Sequence, residues 1–171
     1  MKWFLWIAGS LAAVVVLIAI IGSLLPKKHN ASRTARYHQP PEAVWQAITD
    51  FAGAAAWRTD VKSVERMPDQ NGHQVWREID KQGQAIPFET AESIPPRRLV
   101  RRIADPNLPF GGRWIYELAP AEGGCTLTIT EDGEIYNPIF RFVARFFIGY
   151  TGTMENYLKA LGKKFGEEVT L

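Results

Sequence analysis

Three regimes of hydrophobic spacing follow one another along the chain: an unbroken apolar run, a stretch of alternation, and a closing stretch with helical period. From Trp3 to Leu25 no charged residue occurs, and the run is dense in Leu, Ile, Val and Ala. At 1.5 Å rise per residue it crosses the roughly 30 Å hydrocarbon core of a bilayer. Trp3 and Trp6 stand where interfacial aromatics belong, and Pro26 ends the helix just before Lys27 and Lys28. A secretory signal has an apolar region of only about 7 to 15 residues and a small-residue cleavage site. Neither fits, so residues 1–26 are expected to be a retained transmembrane anchor, 27–31 a basic juxtamembrane linker, and 32–171 one soluble domain.

A strand-like stretch at 32–38 precedes Gln39-Pro40-Pro41, and a proline at the first turn suits a helix over 41–49. Val44, Trp45 and Ile48 share one face of that helix. A second short turn around Gly53 to Arg58 ends the helical stretch and carries Trp57. From Val61 the period becomes two, predicting strands over 61–67, 73–80, 86–93, 99–104, 112–118 and 125–136. The connections between them are short and rich in Gly, Pro, Asn and Asp, too short for crossover helices, so the sheet is expected to be antiparallel. Trp114, Tyr116 and Leu118 alternate with Arg113 and Glu117, and Leu127 and Ile129 alternate with threonines, which gives each strand one apolar face. By the same parity Glu131 points inward. A bulge at Gly133 would instead turn it to water.

After Asn137-Pro138 the period returns to 3.6 and predicts one helix of about thirty residues. Phe140, Val143, Phe147, Tyr150, Met154, Tyr157, Leu161 and Phe165 make a continuous stripe expected to face the sheet. Around 139–148 the helix is apolar nearly all round, interrupted by Arg141 and Arg145.

Charge changes the picture mainly by exclusion. With 20 Lys and Arg against 18 Asp and Glu, the basic footprint of a dedicated nucleic-acid binder is absent. The single Cys125 leaves no internal disulfide and no thiol pair for a structural zinc. Lys27, Lys28, Arg33 and Arg36 follow the apolar run and only Lys2 precedes it, so the positive-inside rule favours a single-pass protein with a cytoplasmic domain. The three histidines, His29, His38 and His73, each lie near a segment end and read as surface residues. Glu131, Asp132 and Glu134 lack the spacing of a calcium loop. No metal site, cofactor motif or nucleophile elbow is evident.

The order of strand, two short helices, six strands and one long terminal helix resembles the START, polyketide cyclase and plant-allergen-like superfamily, often called SRPBCC. The words Pro41-Glu42-Ala43-Val44-Trp45-Gln46-Ala47-Ile48, Trp57 before Val61-Lys62-Ser63-Val64, Pro95-Pro96-Arg97-Arg98-Leu99, and Gly112-Arg113-Trp114-Ile115-Tyr116 with Gly124-Cys125-Thr126-Leu127 carry the resemblance over about residues 32 to 169. It implies an α+β helix-grip fold: a curved seven-stranded antiparallel sheet around a long C-terminal helix, with an apolar cavity between them. It also implies an apolar small molecule or lipid as ligand. The residues expected to face it are Trp57, Phe88, Trp114, Tyr116, Leu127, Ile129, Glu131, Phe140, Val143, Phe147, Tyr150 and Met154. For Trp57, Trp114 and Tyr116 plain core packing is the competing reading. The cluster at 139–148 is either the cavity mouth, with Gly149 and Gly152 loosening the helix and Arg141 and Arg145 near lipid headgroups, or ordinary core. Some relatives are cyclases or dehydratases, for which Glu131 would be the acid or base, and some bind protein partners.

Overall fold

The structure, a computed structural model, describes residues 2–171. Helix α1 (Lys2–Leu24) is apolar along its length, and the window Trp6–Leu24 is long and apolar enough to cross a membrane while being almost bare of protein contacts. Only three residues separate it from strand β1 (Lys28–Tyr37). Residues 28–31, expected as a linker, are therefore sheet: Lys28 pairs with Glu134 and Ala31 with Glu131. Helix α2 (Pro41–Thr49) begins at its proline and buries Val44, Ala47 and Ile48, and a single 3₁₀ turn follows at Ala54–Ala56.

Strands β2 (Val61–Gln70), β3 (His73–Asp80), β4 (Ala85–Ile94), β5 (Arg98–Ile103), β6 (Phe110–Ala121) and β7 (Gly124–Ile135) form one antiparallel meander with β1, in the order β1-β7-β6-β5-β4-β3-β2. The β6–β7 register runs from Ala121↔Gly124 through Trp114↔Glu131 to Phe110↔Ile135 without a shift. Gly133 thus makes no bulge, and Glu131 stays on the inner face in phase with Leu127 and Ile129. Gly112, opposite Gly133, has a positive φ of 123°, and a Cβ there would meet the Asp132 carbonyl oxygen at 2.3 Å. Only glycine serves at that position.

The terminal helix is not one rod. Asn137 caps α3 (Pro138–Val143) by accepting from the Phe140 amide at 3.0 Å, a π-turn occupies Ala144–Ile148, and Gly149 leaves the helix with φ of 78°. Helix α4 (Gly152–Lys164) then starts afresh. The 3.6 period survives this interruption in the sequence, which is why it predicts continuity. Of the predicted stripe, Met154, Tyr157 and Leu161 on α4 are buried against the sheet with Tyr37, Leu99, Leu127 and Ile129, joined by Leu158, and Tyr150 before α4 stacks on β1 at His29. The Tyr37 hydroxyl donates to the Leu158 carbonyl at 2.9 Å and ties β1 to α4. Phe140 and Phe147 are 41% and 77% exposed, against the expectation that they face the sheet.

Leu158 is fully buried and unbranched at Cβ, so Leu158→Ala removes packing that little can refill. The expected cost is about 2–5 kcal/mol, seen as a fall of roughly 5–15 °C in the thermal midpoint of the full chain in detergent.

Candidate functional site

Because α4 covers only part of the concave face, a cavity of about 670 Å³ remains under α3, the π-turn and Gly149. That volume is in the range of small-molecule sites. Its apolar wall includes Ile86, Phe88, Ile103, Phe110, Ile135 and Phe140. Of the residues expected to face a ligand, six line it: Phe88, Trp114, Tyr116, Glu131, Phe140 and Tyr150. Leu127, Ile129 and Met154 are fully buried in the solid core, and Trp57 packs against that core edge-on to Tyr157. Val143 and Phe147 lie outside the lining, displaced with the broken helix.

Two polar constellations stand in this wall, and spacing alone revealed only part of one. The first is built on Glu131. Its Oε2 accepts from Trp114 Nε1 at 2.8 Å, and its Oε1 lies 2.9 Å from His29 Nε2. The His29 ring stacks on Tyr150 with centroids 4.1 Å apart, and its side chain is only 11% exposed. His29 is therefore no surface residue. Its position was concealed by starting β1 at Ser32. Extending the period-two phase of Tyr37, Ala35 and Arg33 back through Ala31 reaches it.

The second constellation is charged and buried. Glu78 on β3 receives hydrogen bonds from two guanidiniums, Arg58 Nη1 at its Oε2 and Arg101 Nη1 at its Oε1. Arg58 also holds Asp60, and its cation sits 5.3 Å from the Tyr157 ring centroid. Arg101 on β5 is held between the Phe51 and Phe88 rings at 4.4 and 4.8 Å. Burial disfavours the charge on Glu78, but the two guanidiniums outweigh it and hold the carboxyl below its ordinary 4.5. Burial pushes the Tyr116 hydroxyl up to about 12, so it remains a neutral donor. Arg101 Nε and Nη2 are buried and have no partner among the described residues, and Thr90, its cross-strand neighbour, has a buried hydroxyl in the same condition. Arg101 lines the cavity with these two donors sealed just behind its wall, so a small shift of the covering side chains would let them receive an acceptor atom from a bound molecule.

Among the described residues no group of His, Cys, Asp and Glu is arranged to hold a metal ion. Arg141, expected near headgroups or in water, is buried instead: it donates to the Leu25 carbonyl at 2.7 Å and to the Tyr136 carbonyl at 3.4 Å. It satisfies an orphan carbonyl at the end of α1.

A half-covered antiparallel sheet with an apolar, partly charged hollow under its terminal helices defines a helix-grip protein. The chain belongs to the family described as polyketide cyclase / dehydrase and lipid transport, which matches residues 28–166. No curated protein matches it. Among solved structures it is similar to the Zhui aromatase/cyclase of a Streptomyces species, at 16% identity and a TM-score of 0.61 over 80% of this chain and 93% of that one. A START superfamily protein of Mycobacterium smegmatis gives 20% and 0.60 over 80% and 96%. Norcoclaurine synthase of Thalictrum flavum gives 10% and 0.62 over 87% and 92%. At such identities the likeness extends to the fold.

Replacing Glu78 by Gln leaves Arg101 buried with only a neutral partner while Arg58 keeps Asp60, at an expected cost of about 3–5 kcal/mol in denaturant unfolding. A carboxyl whose folded pKa is depressed contributes stability that is full above its unfolded value, here 4.5, and is lost as pH falls below that through the folded value. The unfolding free energy of the native chain is thus expected to decline below about pH 4.5, and that part of the decline should be missing in E78Q.

Proposed function

We propose that this protein is a membrane-tethered binding or transfer module for an amphiphile: an apolar body in the cavity and an oxygen-bearing, preferably anionic, head at Arg101. The observation that carries this is Arg101, a guanidinium in the wall of a largely apolar hollow with two buried donors that no protein group accepts. A core that merely needed filling would not keep a cation there, since an uncompensated buried polar group costs about 1–3 kcal/mol. A ligand carboxylate, phenolate or carbonyl oxygen would relieve that cost.

Tethering by α1 suits such a ligand, because amphiphiles of low solubility are met at membranes. Retention of α1, as opposed to removal as a signal, is supported by its contact with the domain. Gly22 sits so close to α3 that a Cβ would lie 1.9 Å from the Pro138 carbonyl oxygen, and Arg141 holds the Leu25 carbonyl. The basic residues after α1 favour a cytoplasmic domain. Protein partners form no part of this reading.

The test is mass spectrometry of the full chain released from nanodiscs made of native membrane lipid. An acidic or carbonyl-bearing amphiphile is expected at about one per protein. A polar metabolite, or an empty cavity under several expression conditions, contradicts it. Arg101→Lys keeps the charge but loses the planar fork, and is expected to weaken binding of the recovered molecule about tenfold, with a lower thermal midpoint because the Glu78 hydrogen bond and the ring stacking go with it.

A second reading, an enzyme of cyclase or dehydratase type, is favoured by one observation: the His29–Glu131 pair faces the same cavity and is built as a proton acceptor held by an orienting carboxylate. Zhui, whose fold is similar, is named an aromatase/cyclase. Glu131→Gln separates the two. Turnover of the bound molecule that disappears in E131Q with binding retained establishes the enzyme, and an unchanged bound molecule in both proteins establishes the carrier.

A further inference from the structure

Exposed apolar side chains outside α1 are concentrated in one segment. Ile139, Phe140, Phe146, Phe147 and Ile148 are between 41% and 77% exposed, all on α3 and the π-turn. A patch of this kind marks a binding surface. Its place in the fold identifies what it meets.

The segment is packed on the end of α1. Ile18, Ala19, Ile21, Gly22 and Leu25 are the covered positions of a helix that is otherwise nearly bare, and α3 is the element that touches them. The junction is stiff. Three residues join α1 to β1, the Lys27 carbonyl accepts from the Ile135 amide at 2.9 Å, and Arg141 spans from α3 to Leu25. The domain is thus bolted to the helix end, with no flexible tether that would let it swing away from a membrane.

The apolar window of α1 continues to Leu24. Contacts beginning at Ile18 therefore reach about 9 Å back from the end of that window, at 1.5 Å per residue. An element lying there sits at the depth where interfacial helices bury their apolar faces, about 5–10 Å into the boundary of headgroups and acyl chains. The strand register agrees. Lys28, Glu134, Ile135 and Phe110 mark the end of the sheet next to α1, while Tyr37 and the β6–β7 turn mark the far end. Ile148 and Gly149, which line the cavity, belong to the near end. Lys27 and Arg145 are exposed beside the patch, suited to anionic headgroups.

We infer that α3 and the π-turn form a lip embedded in the lipid leaflet that the C-terminal end of α1 reaches, so that the cavity opens onto the leaflet and a ligand loads sideways from lipid. This rests on the reading of α1 as a membrane span. Phe146, Phe147 and Ile148, exposed in a row at the end of the π-turn, are the lipid-facing side of the lip.

The test uses the full chain in vesicles of phosphatidylcholine and phosphatidylglycerol, with a nitrobenzoxadiazole label at Phe147→Cys or, as a control at the far end of the sheet, at Glu122→Cys. Cys125 is buried and stays unlabelled. Both proteins are expected to float with the vesicles. The label at 147 is expected to emit to the blue and to be quenched by lipids carrying a nitroxide high on the acyl chain, while the label at 122 emits as in water. A water-like label at 147 in floating protein overturns the lip and leaves the anchor standing. A blue-shifted label that lipid nitroxides do not quench also overturns it, by showing that protein and not lipid covers the patch. Failure to float overturns both the lip and the span.

Discussion

The departure of the chain from helix at Gly149 is the constraint on which the rest of the structure turns. An antiparallel sheet with one apolar face must be covered, and α4 covers the β1, β7 and β6 side through Met154, Tyr157, Leu158 and Leu161. Had the helix run straight from Pro138, the stripe of Phe140, Val143 and Phe147 would have been laid along the remaining concave surface. With φ of 78° at Gly149, that first segment swings out to meet α1, and the hollow beneath it is left to be filled by something else.

That hollow determines how the polar residues around it behave. In a place of low dielectric a carboxylate between two guanidiniums is stabilised far more than at a surface. Glu78 with Arg58 is a self-sufficient pair extended by Asp60. Arg101, pinned between Phe51 and Phe88 and anchored through Nη1 on Glu78, keeps its other two nitrogens without an acceptor. On the same sheet face, one strand beyond Trp114 from Arg101, Glu131 with His29 offers a proton acceptor. The same walls therefore suit a carrier and an enzyme, and the difference between them lies in the molecule held.

Most of the sheet was legible because period-two alternation is local: β3 and α2 were readable to the residue, and the parity of Glu131 followed from Leu127 and Ile129. Long-range consequences were not. The Glu78, Arg58 and Arg101 cluster unites β3, β5 and the turn after α2, and nothing in their spacing distinguishes them from the solvated Arg and Glu pairs on neighbouring strands. His29 was hidden by an assumed linker, although the strand phase contained it. The helix break was hidden because a π-turn and one glycine change direction while preserving the apolar period. Arg141 could not be placed without knowing that α3 meets the end of α1.

The three features converge on one claim, that a molecule drawn from the membrane occupies the space left by the broken helix. The direct measurement is photo-crosslinking of a diazirine fatty acid to the full chain in its native membrane, followed by peptide mapping. Adducts on the wall residues Phe88, Ile103 and Tyr116, lost when unlabelled fatty acid is added in excess, are the expected result. Adducts confined to α1 and indifferent to competitor would mean that lipid surrounds the protein without ever entering it.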